Sequence, residues 1–202
     1  MIKKEKKLHK KLKIYHRLIN NILFEDIINT RLIEKLSKKL NLEYYSILII
    51  LKDIKKDFDF FKVSDPSLKI DKEIIYLNSF KAIMYYRLSH LVYLNNDFIT
   101  ARMISEYSHS FTQIDINPGA IIGSPFYIDH GTGIVIGETC IIGKYVKLYH
   151  GVTLGAKLCP NENKLKRHPT IGDNVTVYCN SSIFGDIRIF ANTIIKAHSI
   201  IK

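Results

Sequence analysis

The sequence predicts an α+β chain in which an N-terminal helical half is followed by a parallel β-helix, a coil of three short strands per turn. Two observations lead to this prediction. No glycine occurs before Gly119, and apolar residues in this part recur at helical spacing. From Ile116 onward, aliphatic residues fall every six positions, which fits neither an α-helix nor a hairpin meander. The change of period predicts two domains, residues 1–110 and 111–202.

The helical prediction rests on three groups of apolar residues with charged residues between them. These groups are Ile14, Leu18, Ile22 and Leu23; Ile28, Leu32, Leu36 and Leu40; and Phe80, Ile83, Met84, Leu88 and Leu91. Between the second and third groups, the segment Ser64-Asp65-Pro66-Ser67 is a predicted turn, which we expect to cap the helix that follows. The lack of glycine also excludes a phosphate-binding glycine loop from this half.

The β-helix prediction rests on the register of the six-residue repeat, which persists over most of the second half. The aliphatic positions are Ile116, Ile122, Ile128, Ile136, Ile142, Leu148, Leu154, Ile171, Val177, Ile183, Ile189, Ile195 and Ile201. Each repeat would place one aliphatic side chain inside one face of a triangular prism, giving roughly four coils. The long step between Leu154 and Ile171 predicts a surface loop at 155–170, rich in Lys, Asn and Pro.

Composition excludes several classes of protein. The net charge is +11, but the chain has no nucleic-acid-binding motif, so we expect no nucleic-acid partner. No apolar stretch is long enough to cross a membrane, and no apolar h-region follows the charged N-terminus, so we expect no signal peptide. The three cysteines, Cys140, Cys159 and Cys179, lack metal-site or disulfide spacing. We therefore expect a cytoplasmic protein, and the positive charge would favour an anionic substrate.

Five ionisable residues are not needed by a β-helix scaffold, which uses aliphatic, small and turn residues. They are Asp115, Asp129, His130, Arg167 and His168. Histidines grouped with acids and an arginine are the usual constituents of an active site. These residues are therefore the candidate functional residues of the second half.

Several segments resemble the serine acetyltransferases, a family of hexapeptide-repeat acyltransferases. They are IDINPGA at 114–120, IDHGTGIVIGET at 128–139, GVTLGA at 151–156 and KRHPTIG at 166–172. In the helical half, SDP at 64–66 and FKAIMYYRLSH at 80–90 are similar to the same family. The resemblance implies a left-handed parallel β-helix of hexapeptide repeats. It also implies that the helical domain serves oligomerisation and forms part of the serine site.

The implied reaction moves an acetyl group from acetyl-CoA to the hydroxyl of L-serine, giving O-acetyl-L-serine for cysteine biosynthesis. The resemblance makes His130 the general base that takes the hydroxyl proton. Asp115 lies about one coil earlier, and stacked coils are expected to place it beside His130, where it would orient the ring. The acetyl group would pass directly to serine without an acyl-enzyme.

The substrate sites are implied in the same way. Serine is a zwitterion, so its carboxylate would bind a guanidinium and its ammonium would bind a carboxylate. The resemblance assigns Arg167 and His168 to the carboxylate, and Asp65 and Asp129 to the ammonium. Acetyl-CoA is expected in the groove between neighbouring prisms, along Ala156, Cys179 and Ala197.

The implied assembly is a homotrimer or a dimer of trimers. Acetyl-CoA is expected as a co-substrate, with no permanently bound cofactor and no metal. Relatives extend into a C-terminal tail that docks onto a cysteine synthase, whereas this sequence stops at Lys202. We therefore do not expect a stable complex with that enzyme.

Three other functions fit the same scaffold. An acetyltransferase could act on a sugar or an antibiotic, although an amino-acid clamp argues against this. A zinc lyase of the γ-carbonic anhydrase type would need three converging histidines, for which His130, His150 and His168 are available. A β-helix without catalytic activity is the third alternative, and the presence of His130 and Asp115 argues against it.

Overall fold

The structure of the protein, a computed structural model, describes residues 2–25, 29–157 and 166–202. Its first part is helical, as predicted. The helices are α1 (Ile2–Asn20), a π-helical turn (Asn21–Glu25), α2 (Thr30–Leu40), α3 (Tyr44–Ser64), a 3₁₀ helix (Asp71–Tyr76), α4 (Asn78–Leu94) and α5 (Phe98–Thr112). The predicted apolar position Ile28 lies outside the described residues. Within residues 2–25 and 29–112, no helix combines the length and low charge that a bilayer-spanning segment needs.

The predicted turn at 64–67 ends α3, but it does not cap the next helix. The Asp65 carboxylate accepts hydrogen bonds from the backbone N–H of Ser67, at 2.9 Å, and from its hydroxyl, at 2.6 Å. The 3₁₀ helix begins only at Asp71, with Ile70 as its N-terminal cap residue. Aspartate commonly bonds to the backbone two residues further along the chain in this way, so Asp65 closes its own turn.

The rest of the described chain forms thirteen short parallel strands in three sheets, which confirms the β-helix. The strands are β1 (Asp115–Ile116), β2 (Ile121–Ile122), β3 (Phe126–Asp129), β4 (Val135–Ile136), β5 (Ile141–Ile142), β6 (Val146–Tyr149), β7 (Thr153–Gly155), β8 (Thr170–Ile171), β9 (Thr176–Val177), β10 (Ser182–Phe184), β11 (Arg188–Ile189), β12 (Ile194–Ile195) and β13 (Ile200–Ile201). The first sheet has the order β1-β4-β7-β10-β13, the second β2-β5-β8-β11, and the third β3-β6-β9-β12. These sheets are the three faces of the predicted prism.

The core of the prism is the column of six-residue positions. Ile116 stacks on Ile136, and Ile136 stacks on Leu154, one coil apart along the first sheet. Leu154 and Ile183 are fully buried. A fully buried aliphatic side chain of this size contributes about 1.5–3 kcal/mol relative to an exposed one. The repeat therefore supplies the main stabilisation of a domain whose strands are only two to four residues long.

The last helix ends at Thr112 and the first strand begins at Asp115. This change lies close to the predicted boundary at residue 110. That the two halves are separate domains with separate roles stays a prediction. The predicted loop fills the gap between β7 and β8, and its residues 158–165, including Cys159, lie outside the described residues.

Helix α4 covers the first coil of the β-helix, where strand edges have no further coil to pair with. The Tyr86 hydroxyl donates to the Ala120 carbonyl at 2.5 Å and accepts from the backbone N–H of Ile122 at 3.1 Å. His90 Nδ1 lies 2.7 Å from the Pro118 carbonyl oxygen. An unpaired buried backbone group costs about as much as a lost hydrogen bond. The helix therefore satisfies groups that an uncovered coil would leave open.

A buried ion pair continues this cap. Arg87 donates from Nε and one terminal nitrogen to the two Asp57 carboxylate oxygens, both at 3.0 Å, and its side chain is 6% exposed. It also donates to the carbonyls of Ile122 and Gly123. Asp57 in turn accepts from the backbone N–H of Phe126 at 2.9 Å. The pair thus joins α3, α4 and the corner between β2 and β3.

We expect Asp57→Ala to lower the free energy of unfolding by about 3–5 kcal/mol, because it leaves the Arg87 guanidinium buried and unpaired. The matched control is Asp59→Ala, on the same helix. Asp59 is 51% exposed and pairs with Lys55 and Lys62 at 3.5 and 3.6 Å, so its loss should cost about 0–1 kcal/mol. Chemical denaturation at one fixed protein concentration measures both. Equal losses for the two variants would contradict a structural role for the buried pair.

Candidate active site

His130 stands at the corner that connects the third face of the prism to the first face. It follows β3 directly, its backbone is left-handed with φ of 56°, and its side chain is 74% exposed. Gly131 follows with φ of 95°, and a Cβ atom there would lie 2.4 Å from the Ile114 side chain. Only glycine fits such a position without strain. The Asp-His-Gly sequence therefore makes a turn that leaves the imidazole accessible outside the core.

Two groups adjoin the His130 ring. Its Nε2 atom lies 3.8 Å from Asp129 Oδ1, and the ring of His150 lies 5.8 Å away between centroids. Asp129 pairs in register with Tyr149, so His150 occupies the same corner one coil further along. Nδ1 of His150 is buried without a hydrogen-bond partner among the described residues. The sequence suggested His150 only as a possible zinc ligand. Its equivalence to His130 in the repeat was the signal that could have placed it in the active site.

Asp115 lies on β1, paired with Val135 of the next coil. The corner containing His130 leads into that same coil, so the two residues belong to neighbouring turns, as expected. Within the described residues, however, Asp115 makes no hydrogen bond or ion pair with His130, and Asp129 is the carboxylate at ion-pair distance. The orienting role of Asp115 therefore stays a prediction.

The charges of Asp65 and Asp129 both act on one buried phenol, that of Tyr127. Burial raises the pKa of Tyr127, and the negative charges of Asp129 and Asp65 raise this pKa further. Its hydroxyl therefore keeps its proton throughout the physiological range. Two carboxylates from sequence-distant segments thus act on Tyr127, a residue for which the sequence predicted no role.

Arg167 and His168 lie at a different corner, between the first and second faces. The Thr139 hydroxyl oxygen accepts from the backbone N–H groups of Arg167, at 3.0 Å, and of His168, at 3.1 Å. Thr139 lies between β4 and β5, so it ties the end of the long loop to the prism. Thr139 is the last residue of the segment 128–139 that resembles the acyltransferase family, but the sequence predicted no role for it. Only the fold reveals its contact with a segment that lies about 28 residues away.

The His168 ring is fixed in one tautomer. Its Nδ1 accepts from the backbone N–H of Thr139 at 3.1 Å, so a neutral ring carries its proton on Nε2. Burial lowers the pKa of His168, and the neighbouring Arg167 and Lys166 charges lower it further. The ring also occupies the space beside Gly137, where a Cβ atom would lie 2.0 Å from the ring. His168 is therefore a neutral hydrogen-bond donor that is held rigidly.

The Arg167 guanidinium is paired with Glu138. Its terminal nitrogen lies 2.5 Å from Glu138 Oε2, and the two side chains are 47% and 37% exposed. The other Glu138 oxygen accepts from the Tyr93 hydroxyl of α4 at 3.4 Å. Glu138 belongs to the same segment, 128–139, as Thr139, and the sequence predicted no role for it either.

The remaining predicted residues fall along the same two corners, which run the length of the prism as two edges. In register, Cys179 and Ala197 stack above His150, and Ala156 stacks above Glu138. We call the first set the histidine edge: His130, His150, Cys179 and Ala197. We call the second set the arginine edge: Glu138, Ala156, Arg167 and His168. The two edges border opposite sides of the first face.

In the described part of the chain, no three His, Cys, Asp or Glu side chains come together in a way that could hold a metal ion. Two of the histidines considered for zinc, His130 and His150, lie on the histidine edge. The third, His168, lies on the arginine edge, and its Nδ1 is occupied by Thr139. Within the described residues of one chain, the three histidines of the zinc alternative therefore lie on two different edges.

A prism of parallel six-residue repeats with ionisable groups along its edges is the architecture of the hexapeptide-repeat acyltransferases. The chain is 42% identical over 153 residues to a serine acetyltransferase of Staphylococcus epidermidis, covering 75% of this chain and 70% of that one. The crystal structure of serine acetyltransferase isoform 3 from Entamoeba histolytica, in complex with cysteine, matches with a TM-score of 0.77 and 34% identity over 94% of this chain and 77% of that one. A serine acetyltransferase in complex with CoA matches with a TM-score of 0.73 and 27% identity over 93% of this chain and 75% of that one. The chain belongs to the serine acetyltransferase family and is an acyltransferase. No protein-family model matches it.

We expect His168 to titrate below the ordinary histidine value of 6.5, because burial and neighbouring positive charge disfavour its protonated form. Since the folded-state pKa is depressed, the unfolded chain binds more protons below pH 6.5. The contribution of this group to stability is therefore complete above that pH and declines as the pH falls towards the folded-state pKa. Ring ¹⁵N NMR, assigned with His168→Gln, measures the midpoint and the tautomer. A midpoint above 6.5 would contradict the lowered pKa of His168, and a protonated Nδ1 in the neutral ring would contradict the Thr139 hydrogen bond.

Proposed function

We propose that this chain transfers the acetyl group of acetyl-CoA directly to the hydroxyl of L-serine, with His130 as general base. The observation that carries the proposal is the histidine edge. It presents an accessible imidazole at a fixed turn, next to Asp129 and in line with the small residues Cys179 and Ala197. Membership of the serine acetyltransferase family supplies the acceptor and the donor.

In the proposed reaction, the neutral His130 imidazole accepts the proton of the serine hydroxyl as its oxygen attacks the thioester carbonyl carbon. The tetrahedral intermediate collapses with cleavage of the carbon–sulfur bond. The imidazolium then returns the proton to the CoA thiolate. Asp129, at 3.8 Å, and Asp115 would stabilise the imidazolium charge. Every bond change therefore takes place between the two substrates, with His130 carrying only the proton.

One thiol of the described chain, that of Cys140, is unsuited to a transfer through an acyl-enzyme. This thiol is fully buried, and burial raises its pKa to about 12. A thiol is nucleophilic only as the thiolate, so Cys140 cannot accept the acetyl group near neutral pH. His130 needs only to carry a proton, and no covalent enzyme intermediate is required.

The serine clamp has two parts in the proposal. Asp65 and Asp129, whose charges both act on Tyr127, would hold the ammonium group. Arg167 and the Nε2–H of His168 would hold the carboxylate, with the guanidinium favoured because it binds carboxylates in a two-pronged geometry. Within one chain these parts lie on different edges of a face that is on the order of 15 Å wide, much wider than serine.

We therefore propose a homotrimer, alone or paired into a dimer of trimers, in which the histidine edge of one chain faces the arginine edge of the next. A closed threefold ring joins unlike surfaces, as this arrangement requires. The outward positions of the strands support it, since several remain apolar and exposed: Ile121, Val135, Ile141, Ile194 and Ile200. Val135 and Ile200 belong to the first face, which the two edges border, and association of chains there would cover them.

Acetyl-CoA would lie in the groove between the two edges. Ala156 on one side and Cys179 and Ala197 on the other leave room for the pantetheine arm. Beside the histidine edge, the rings of Tyr149 and Tyr178 lie 4.9 Å apart between centroids, so an aromatic surface borders this path. The net charge of +11 favours capture of a ligand that carries several phosphate charges.

We expect thiol release from acetyl-CoA by the purified protein to depend on L-serine. His130→Ala should lower the rate by about 10²–10⁴-fold, the usual contribution of a general base, while the oligomer persists. The control is His109→Ala, an exposed residue of α5 that lies near Glu106. Release without serine, or with sugar acceptors only, would contradict the proposed acceptor. Near-full activity of His130→Ala would remove His130 from the mechanism.

The composite site can be tested by complementation. His130→Ala removes the proposed base from the histidine edge, and Arg167→Ala removes the proposed carboxylate-binding group from the arginine edge. Each variant alone should therefore have low activity at low serine concentration. In a mixed trimer, which contains both variants, about one third of the sites combine two intact edges if each site spans two chains. We expect about that share of wild-type activity at low serine. Purification through two different tags isolates the mixed trimers, and no recovery would mean that each site lies within one chain.

A further inference from the structure

Glu138 is a carboxylate that contacts Arg167, one of the proposed serine-binding groups, and the proposed clamp does not use it. Its Oε2 lies 2.5 Å from the Arg167 guanidinium, and its Oε1 accepts from Tyr93 at 3.4 Å. Burial and the Glu138 charge raise the pKa of Tyr93, so the phenol remains a donor to the carboxylate. Glu138 is thus fixed from the side of the helical half and presents its second oxygen to the arginine.

The fold makes room for this arrangement. Gly119 lies against the Glu138 side chain, and a Cβ atom there would come within 2.8 Å of Glu138 Cγ and 3.2 Å of the Tyr93 hydroxyl. The Tyr93 ring packs on Phe98 at 5.0 Å between centroids. Glu138 and Tyr93 also border a cavity of about 340 Å³. The carboxylate therefore has a built position rather than a chance surface contact.

A carboxylate beside the guanidinium can act in two opposing ways. It can compete with the serine carboxylate for the guanidinium, which would weaken serine binding. Alternatively, it can hold a long, half-exposed side chain in one orientation, leaving the other N–H donors directed at the substrate, which would strengthen serine binding. The geometry favours the second effect, because only one terminal nitrogen of Arg167 contacts Glu138.

We propose that Glu138, held by Tyr93, is the positioning residue that orients Arg167 towards the carboxylate of the amino-acid acceptor. The inference rests on the proposed function, in which Arg167 binds the serine carboxylate. Because Tyr93 belongs to α4 and Glu138 to the β-helix, the inference places a specificity-determining contact where these two elements meet. A substrate without a carboxylate would gain nothing from it.

The test is the change in KM for L-serine caused by Glu138→Gln in the full-length protein. Positioning predicts a rise of about three- to tenfold, with kcat and the KM for acetyl-CoA changed less than about twofold. Tyr93→Phe should raise the serine KM in the same direction but less. Competition predicts a lower serine KM for Glu138→Gln, because the neutral side chain would free the guanidinium to bind serine. A lower or unchanged serine KM for Glu138→Gln would overturn the inference.

Two further variants separate orientation from general effects. Glu106→Gln removes an exposed carboxylate that pairs with Arg102, and it should leave both KM values unchanged. In an Arg167→Lys background, Glu138→Gln should have little further effect on the serine KM, because the group it positions is gone. An equal, independent effect there would contradict positioning.

The two proposals can fail separately. If Arg167→Ala leaves the serine KM unchanged, the proposed clamp itself is wrong. If Arg167→Ala raises the serine KM but Glu138→Gln does not, the clamp stands and only the role of Glu138 is wrong.

Discussion

The first coil of a β-helix has backbone groups that no neighbouring coil can pair, and the rest of this structure depends on how they are covered. Helix α4 covers them with polar side chains, since Tyr86, Arg87 and His90 contact backbone carbonyl groups of this first coil. The buried Arg87–Asp57 pair is costly to desolvate, but nearly every donor and acceptor in it is used. The helical half therefore fixes the starting coil, and the later coils stack upon it in register.

Stacking in register determines where the chemistry can occur. Each corner position recurs once per coil, so residues far apart in sequence align along an edge. His130 and Arg167 lie on different edges, and each edge is supported by its own contacts: Gly131 and Asp129 for one, Thr139 and Glu138 for the other. The same rigidity that positions each half of the proposed clamp also prevents one chain from bringing the halves together. This makes association of chains part of the proposed chemistry rather than an addition to it.

The six-residue period predicted the prism and its inward residues, because burial inside a narrow coil allows only one register. The acids, histidines and arginine stood out because the scaffold does not need them. The cap was not predictable: Asp57 and Arg87 lie on periodic helices, and nothing local marks them as partners of strand carbonyls. The roles of Thr139 and Glu138 were missed for a similar reason. Their partners lie across the long loop or in α4, and spacing along the sequence carries no information about such contacts.

The attachment of the loop at Thr139 has a consequence for how this protein can vary. One hydroxyl oxygen accepts from the backbone N–H groups of both Arg167 and His168, so the chain is attached to the prism directly before β8. The free-energy cost of closing a loop grows only slowly with its length. Insertions or deletions between Ala156 and Lys166 can therefore accumulate without displacing the groups at its end. Variation in the length of this connection would then leave the proposed acceptor site where the prism holds it.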